Sequence, residues 1–134
     1  MLWGYIAIIS YLITAVWIGV SIIKPNETPF LIRKLPPLGL GACALLLHAL
    51  VLYQGAFTAV GINLGFYNAL SLISWVVALL VILVSTIRPA ENLVFIFLPA
   101  AALALLLDIL MPSTYVLPEN LSIGLRLHIL LSVT

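Results

Sequence analysis

Charge is what this sequence has least of. Only 7% of its residues are charged, against about 25% in soluble domains, while 65% are hydrophobic. A soluble globular domain is excluded by that balance, and an integral membrane protein is expected. The net charge of +1 gives no electrostatic basis for binding nucleic acid. Cysteine occurs once, as Cys43 inside an apolar run, so neither a disulfide framework nor a thiolate metal cluster is available. There is no nucleophile–His–Asp arrangement with a supporting motif, no phosphate-binding glycine loop and no HExxH. No enzymatic activity is expected. The first apolar run lacks a basic n-region and an Ala-x-Ala site and is too long for a signal h-region, so it is read as a span that stays in the membrane.

What is present is a series of long apolar runs. A crossing helix needs about 20 apolar residues at about 1.5 Å each. Four runs qualify, at about residues 2–23, 38–57, 66–87 and 93–110, and a fifth opens at 123–134. The expected fold is all-α: one polytopic transmembrane helix bundle with four complete spans and the start of a fifth. The fifth run covers little more than half a crossing. A helix ending there in hydrocarbon would leave carbonyls unsatisfied, so the chain is expected to be the N-terminal part of a longer membrane protein. The alternative is a short amphipathic tail lying along the interface, for which Arg126 is a single charge where such helices usually carry several.

The connections read as follows. KPNETPFLIRKLPP (24–37) is expected to be a loop, because Pro25, Pro29, Pro36 and Pro37 oppose a continuous helix. The uncharged linker 54–65, with Tyr53, Phe57, Phe66 and Tyr67 around it, looks like an interfacial turn with an aromatic belt. RPAEN (88–92) is a tight polar turn, and Pro99 is expected to kink the fourth span. Lys24, Arg33, Lys34 and Arg88 lie in the connections after spans one and three, and the other two connections carry no cation. The positive-inside rule then puts the N-terminus outside.

Polar groups inside spans are costly and therefore informative. His48, Asp108 and His128 all fall in the outer half under this topology. Asp108 reads as an interfacial carboxylate, solvated or paired with Arg126, or as a proton-coupling group. His48 and His128 read either as neutral imidazoles bonded to a neighbouring helix or as ligands to iron or another transition metal. Two histidines on facing helices can clamp a haem from both sides. Cys43 and His48 stand about 140° apart around a helix and make a poor ligand pair. Asn68, Ser71 and Trp75 form a polar stripe, with Ser74 beside it, that serves helix packing or lines a pocket. Gly39, Gly41, Ala42 and Ala44, and Ala100, Ala101, Ala102 and Ala104, are expected to permit close helix approach.

Four stretches occur in an order and spacing that resemble a known family: LLLHALVLY around His48, INLGFYNALSLISW into the third span, DILMPSTY after the fourth, and GLRLHILLSVT opening the fifth. Together they resemble the N-terminal half of the cytochrome c assembly family (CcsA/ResC-like), in its shorter YpjD-like inner-membrane branch. The resemblance implies a bacterial inner-membrane protein that holds or moves haem at the outer face, together with other cytochrome c assembly proteins. It implies that His128 coordinates haem iron and, less directly, that His48 belongs to the same machinery. The Trp-rich WWD segment of the wider family is not among these residues: Trp3, Trp17 and Trp75 are scattered. A small-solute or ion transporter fragment using His48 and Asp108, and a structural membrane subunit, are the alternatives.

Overall fold

The computed structural model describes residues 1–24, 29–58, 61–63, 65–112, 116–118 and 122–133. Five helices run in order: α1 (Leu2–Ile23), α2 (Phe30–Ala56), α3 (Phe66–Ile87), α4 (Glu91–Leu110) and α5 (Ile123–Val133). Three short strands accompany them: β1 (Phe57–Thr58), β2 (Gly61–Asn63) and β3 (Val116–Pro118). The first four helices are each long and apolar enough to cross a membrane. In hydrocarbon only an intrahelical ladder satisfies a single segment's backbone, so sequences this apolar become helices whatever their individual propensities. At 22 residues, α1 spans about 33 Å at about 1.5 Å per residue.

The four long helices close into a ring. Each packs on its neighbours in sequence, and α4 closes against α1. The interior mixes small and polar residues with large ones such as Tyr11, Ile18, Leu98 and Leu105, and the exterior is lined by large apolar residues. Helix α1 buries Gly4, Ala7, Ser10, Tyr11, Thr14, Ala15, Ile18 and Gly19, and exposes Ile9, Leu12, Ile13, Val16 and Val20. Because lipid tails are as apolar as leucine, helices gain by close backbone approach and buried hydrogen bonds rather than by hiding hydrocarbon. A Cβ on Gly19 would stand 2.8 Å from the Phe95 ring of α4, which shows how tightly α1 and α4 meet.

Three expectations about element boundaries and packing need correction. Helix α2 begins at Phe30, not near residue 38, and runs through Pro36 and Pro37. Proline's fixed φ suits a helix, and its cost lies in lost N–H donors and local crowding. Here that cost falls near the end of the bundle, where lipid headgroups and water can solvate the freed carbonyls. Helix α4 likewise takes in Glu91 and continues unbroken past Pro99. Of the small residues expected at interfaces, Gly41 and Ala44 are buried, but Ala42 and Ala100 are exposed and Gly39 has open space beside it.

The connection expected to be a simple turn is part of a small antiparallel sheet in the order β1–β2–β3. Phe57 pairs with Ile62 and Thr58 with Gly61. Gly61 also pairs with Pro118, Ile62 with Leu117 and Asn63 with Val116. Gly61 has φ 146°, a conformation open to glycine and strained for side-chain-bearing residues. The sheet ties the α2–α3 connection to the α4–α5 connection at one end of the ring. Aromatic pairs flank it: Tyr53 with Phe57 at 5.0 Å and Phe66 with Tyr67 at 5.3 Å between ring centroids.

The opposite end holds Lys24, Arg33, Lys34 and Arg88, four of the five basic residues. Lys34, only 5% exposed, places Nζ 2.9 Å from Glu91 Oε1 and donates to the carbonyls of Ser85 and Arg88, each at 3.4 Å. Arg33 approaches the same carboxylate at 3.7 Å. Helix α2 is thereby pinned to the turn between α3 and α4.

Candidate functional site: a buried imidazole and an exposed one

The two histidines occupy opposite kinds of environment. His48 is fully enclosed, and both of its ring nitrogens are engaged. Nδ1 lies 3.2 Å from the Tyr11 hydroxyl of α1, and Nε2 lies 2.9 Å from the Ser71 hydroxyl of α3. The Tyr11 and His48 rings meet edge to face, with centroids 5.8 Å apart. Asp108 on α4 lies close enough to Ser71 to feel its hydroxyl. The hydrogen-bonded chain Tyr11–His48–Ser71 joins α1, α2 and α3, and Asp108 of α4 stands beside its end. The three chain members are buried, and Asp108 is half-buried.

In a neutral imidazole one ring nitrogen donates and the other accepts, so Tyr11 and Ser71 take opposite roles toward His48, in an order set by its tautomer.

The stripe on α3 works mainly as packing. Trp75 Nε1 donates to the Leu45 carbonyl of α2 at 2.9 Å, and Ser74 Oγ donates to the Ser71 carbonyl at 2.8 Å. Asn68 Nδ2 donates to the Asn63 carbonyl at 2.7 Å, joining α3 to β2. Its Oδ1 is buried without a hydrogen-bond partner.

His128 is exposed on α5 and makes no hydrogen bond among the described residues. Its neighbours Leu125, Leu127 and Leu131 are exposed as well, and α5 forms no extensive contact with the ring. The structure does not bring His128 and His48 into one site. The Arg126 side chain lies outside the described residues, and so does the Asp108–Arg126 pairing expected from sequence. Cys43 is exposed, on a different face from His48. Among the described residues no three His, Cys, Asp or Glu side chains group as metal ligands.

Two functional participants escape a reading of the sequence. Tyr11 sits mid-span, away from the aromatic belts where tyrosine is usual. A buried tyrosine hydroxyl wants a partner, and that was the available signal. Lys34, taken as a loop cation, is a buried helix residue. Lys34 lies four residues after the start of α2, where Pro36 and Pro37 hide the helix from local rules.

Haem can be tested against these environments. An axial ligand needs a free ring nitrogen and room beside it for the porphyrin. His48 offers neither while Tyr11 and Ser71 hold it. His128 is exposed and has no hydrogen bond among the described residues, with exposed apolar side chains nearby. Comparison of the chain with protein-family models, with curated proteins and with solved structures gives no significant match.

Proposed function

We propose that this chain is a membrane component of cytochrome c assembly that handles haem at the outer face of a bacterial inner membrane, with its N-terminus outside. The observation that carries the reading is His128: an exposed imidazole without a hydrogen-bond partner among the described residues, on an apolar helix. The ordered stretches around His48, Trp75, Asp108 and His128 support it. Haem, when bound, supplies the iron chemistry. The chain's own task is to hold a ring nitrogen of His128 toward the iron and to provide hydrocarbon contact beside it. His48 serves the scaffold in this reading, and other assembly proteins are the partners. The test is an absorbance spectrum of the protein purified from haem-replete cells. A Soret band lost in His128→Ala, with folding intact, is expected. A colourless parent protein, or a band indifferent to that substitution, refutes the assignment.

A second reading rests on a different observation. Ser71 bonds to His48 and lies close to Asp108, the pair a proton-coupled small-solute or ion transporter would use. That reading requires a pH-dependent flux in proteoliposomes that disappears in Asp108→Asn.

A further inference from the structure

The α2–α3 side of the ring is its least extensive helix contact, and near the basic end it opens into a groove of about 320 Å³. Leu38, Gly39 and Ala42 of α2 and Ile82 and Leu83 of α3 line its apolar length, and Lys34, Ser85 and Thr86 line its polar end. The cause lies in small residues. Trp75 and the His48–Ser71 bond hold the two helices together toward one end, and Lys34 holds them at the other. Between these ties Gly39 supplies no side chain, and a Cβ there would meet nothing within 4 Å.

The surrounding charge is one-sided. Among the described residues Lys24, Arg33, Lys34 and Arg88 belong to this end, against Glu91. Glu91 is already engaged by Lys34 and Arg33, whereas the Arg88 side chain is exposed, three residues beyond Ser85. A groove of comparable volume at the same end, between α1 and α4, is lined by Val20, Ile23, Asn92 and Phe95 among others and has no cation in its lining. The two grooves therefore differ in chemistry while sharing size.

We propose that the α2–α3 groove is a binding site for an anionic phospholipid: one acyl chain lies along Leu38, Gly39 and Ile82, and the phosphate sits among the cations at the Lys34 and Arg88 end. Ligand sites are concave, mostly apolar and fitted with a few polar groups, beginning at about 300 Å³. Basic pockets between spans select anionic headgroups by charge. Hydrocarbon fills the gap that Gly39 leaves, and the surplus of cations distinguishes an anionic headgroup from a zwitterionic one.

Native mass spectrometry of the full chain, released from micelles holding equal phosphatidylglycerol and phosphatidylcholine, tests this directly. Phosphatidylglycerol is expected to be retained in preference. Gly39→Leu, whose Cβ would meet nothing within 4 Å, fills the groove and is expected to abolish that retention, and Ala42→Leu provides a second obstruction, with thermal melting reporting the fold of both. Arg88→Gln is expected to keep a bound lipid but lose the preference between headgroups. Retention unchanged by both filling variants, or no headgroup preference in the parent chain, overturns the proposal.

Discussion

Ser71 Oγ stands 2.9 Å from His48 Nε2, so one hydroxyl joins α2 and α3. Its removal leaves a buried ring nitrogen without its partner. A buried group left without its hydrogen bond costs about 1–3 kcal/mol, although measured interhelical bonds in membranes average about 0.6 kcal/mol. Ser71→Ala is therefore expected to lower stability by about 1–2 kcal/mol, read from unfolding in micelles. Ser71→Thr, which keeps the hydroxyl, is expected to lose less. Equal losses in the two variants would mean that the bond contributes little.

Gly39 and Gly41 lie two residues apart on α2 and face different surroundings. A Cβ on Gly41 would stand 3.1 Å from Ile82 Cδ1 and 3.3 Å from Thr14 Cγ2, while Gly39 has open space. Overfilling a packed interior costs about 1–3 kcal/mol. Gly41→Leu is expected to reach or exceed the top of that range, and Gly39→Leu to leave the melting temperature nearly unchanged. The comparison is made in one detergent, with thermal melting as the readout.

Lys34 and Glu91 should respond asymmetrically. Glu91→Gln leaves an ammonium group that is almost wholly enclosed without its carboxylate. Lys34→Met removes the buried charge altogether. Breaking a buried pair from one side costs about 3–5 kcal/mol, and the partial exposure of Glu91 and the carbonyls around Nζ reduce that here to about 2 kcal/mol. Glu91→Gln is expected to destabilise more than Lys34→Met, and the double substitution to recover part of the loss. A double-mutant cycle on unfolding midpoints measures the coupling, and additive effects would rule it out.

His128 is expected to be silent in stability. With no hydrogen bond among the described residues and an exposed side chain, His128→Ala should change the unfolding free energy by less than about 0.5 kcal/mol. A loss well above that would mean that the imidazole has a structural partner, and would undercut its assignment as an accessible ligand. Measured alongside the Soret band, the two readouts separate a ligand from a packing residue.

The spans at residues 2–23 and 66–87 were legible to the residue, because continuous apolar sequence in lipid has one backbone solution. The start of α2 was not, because Pro36 and Pro37 read as breakers when only local rules are applied. Their cost is offset by contacts with α3 and α4, through Lys34, that no local rule includes. The sheet was invisible for a related reason. Strands of two or three residues have no periodicity to read, and β2 finds β3 more than fifty residues downstream. His48 could be singled out as a polar residue in a span, but the choice between bonded scaffold and iron ligand depended on Tyr11 and Ser71, whose positions only the packed ring defines. His128 stays where its sequence put it, near the start of a helix.

The pairing of Gly61 with Pro118 makes a collar out of two connections that are far apart in the chain. Helix α5 starts five residues after Pro118, while β2 ends at Asn63, whose carbonyl receives the Asn68 side chain one turn below Ser71. The strand that precedes α5 in the chain and the strand that braces the start of α3 are therefore neighbours in one sheet.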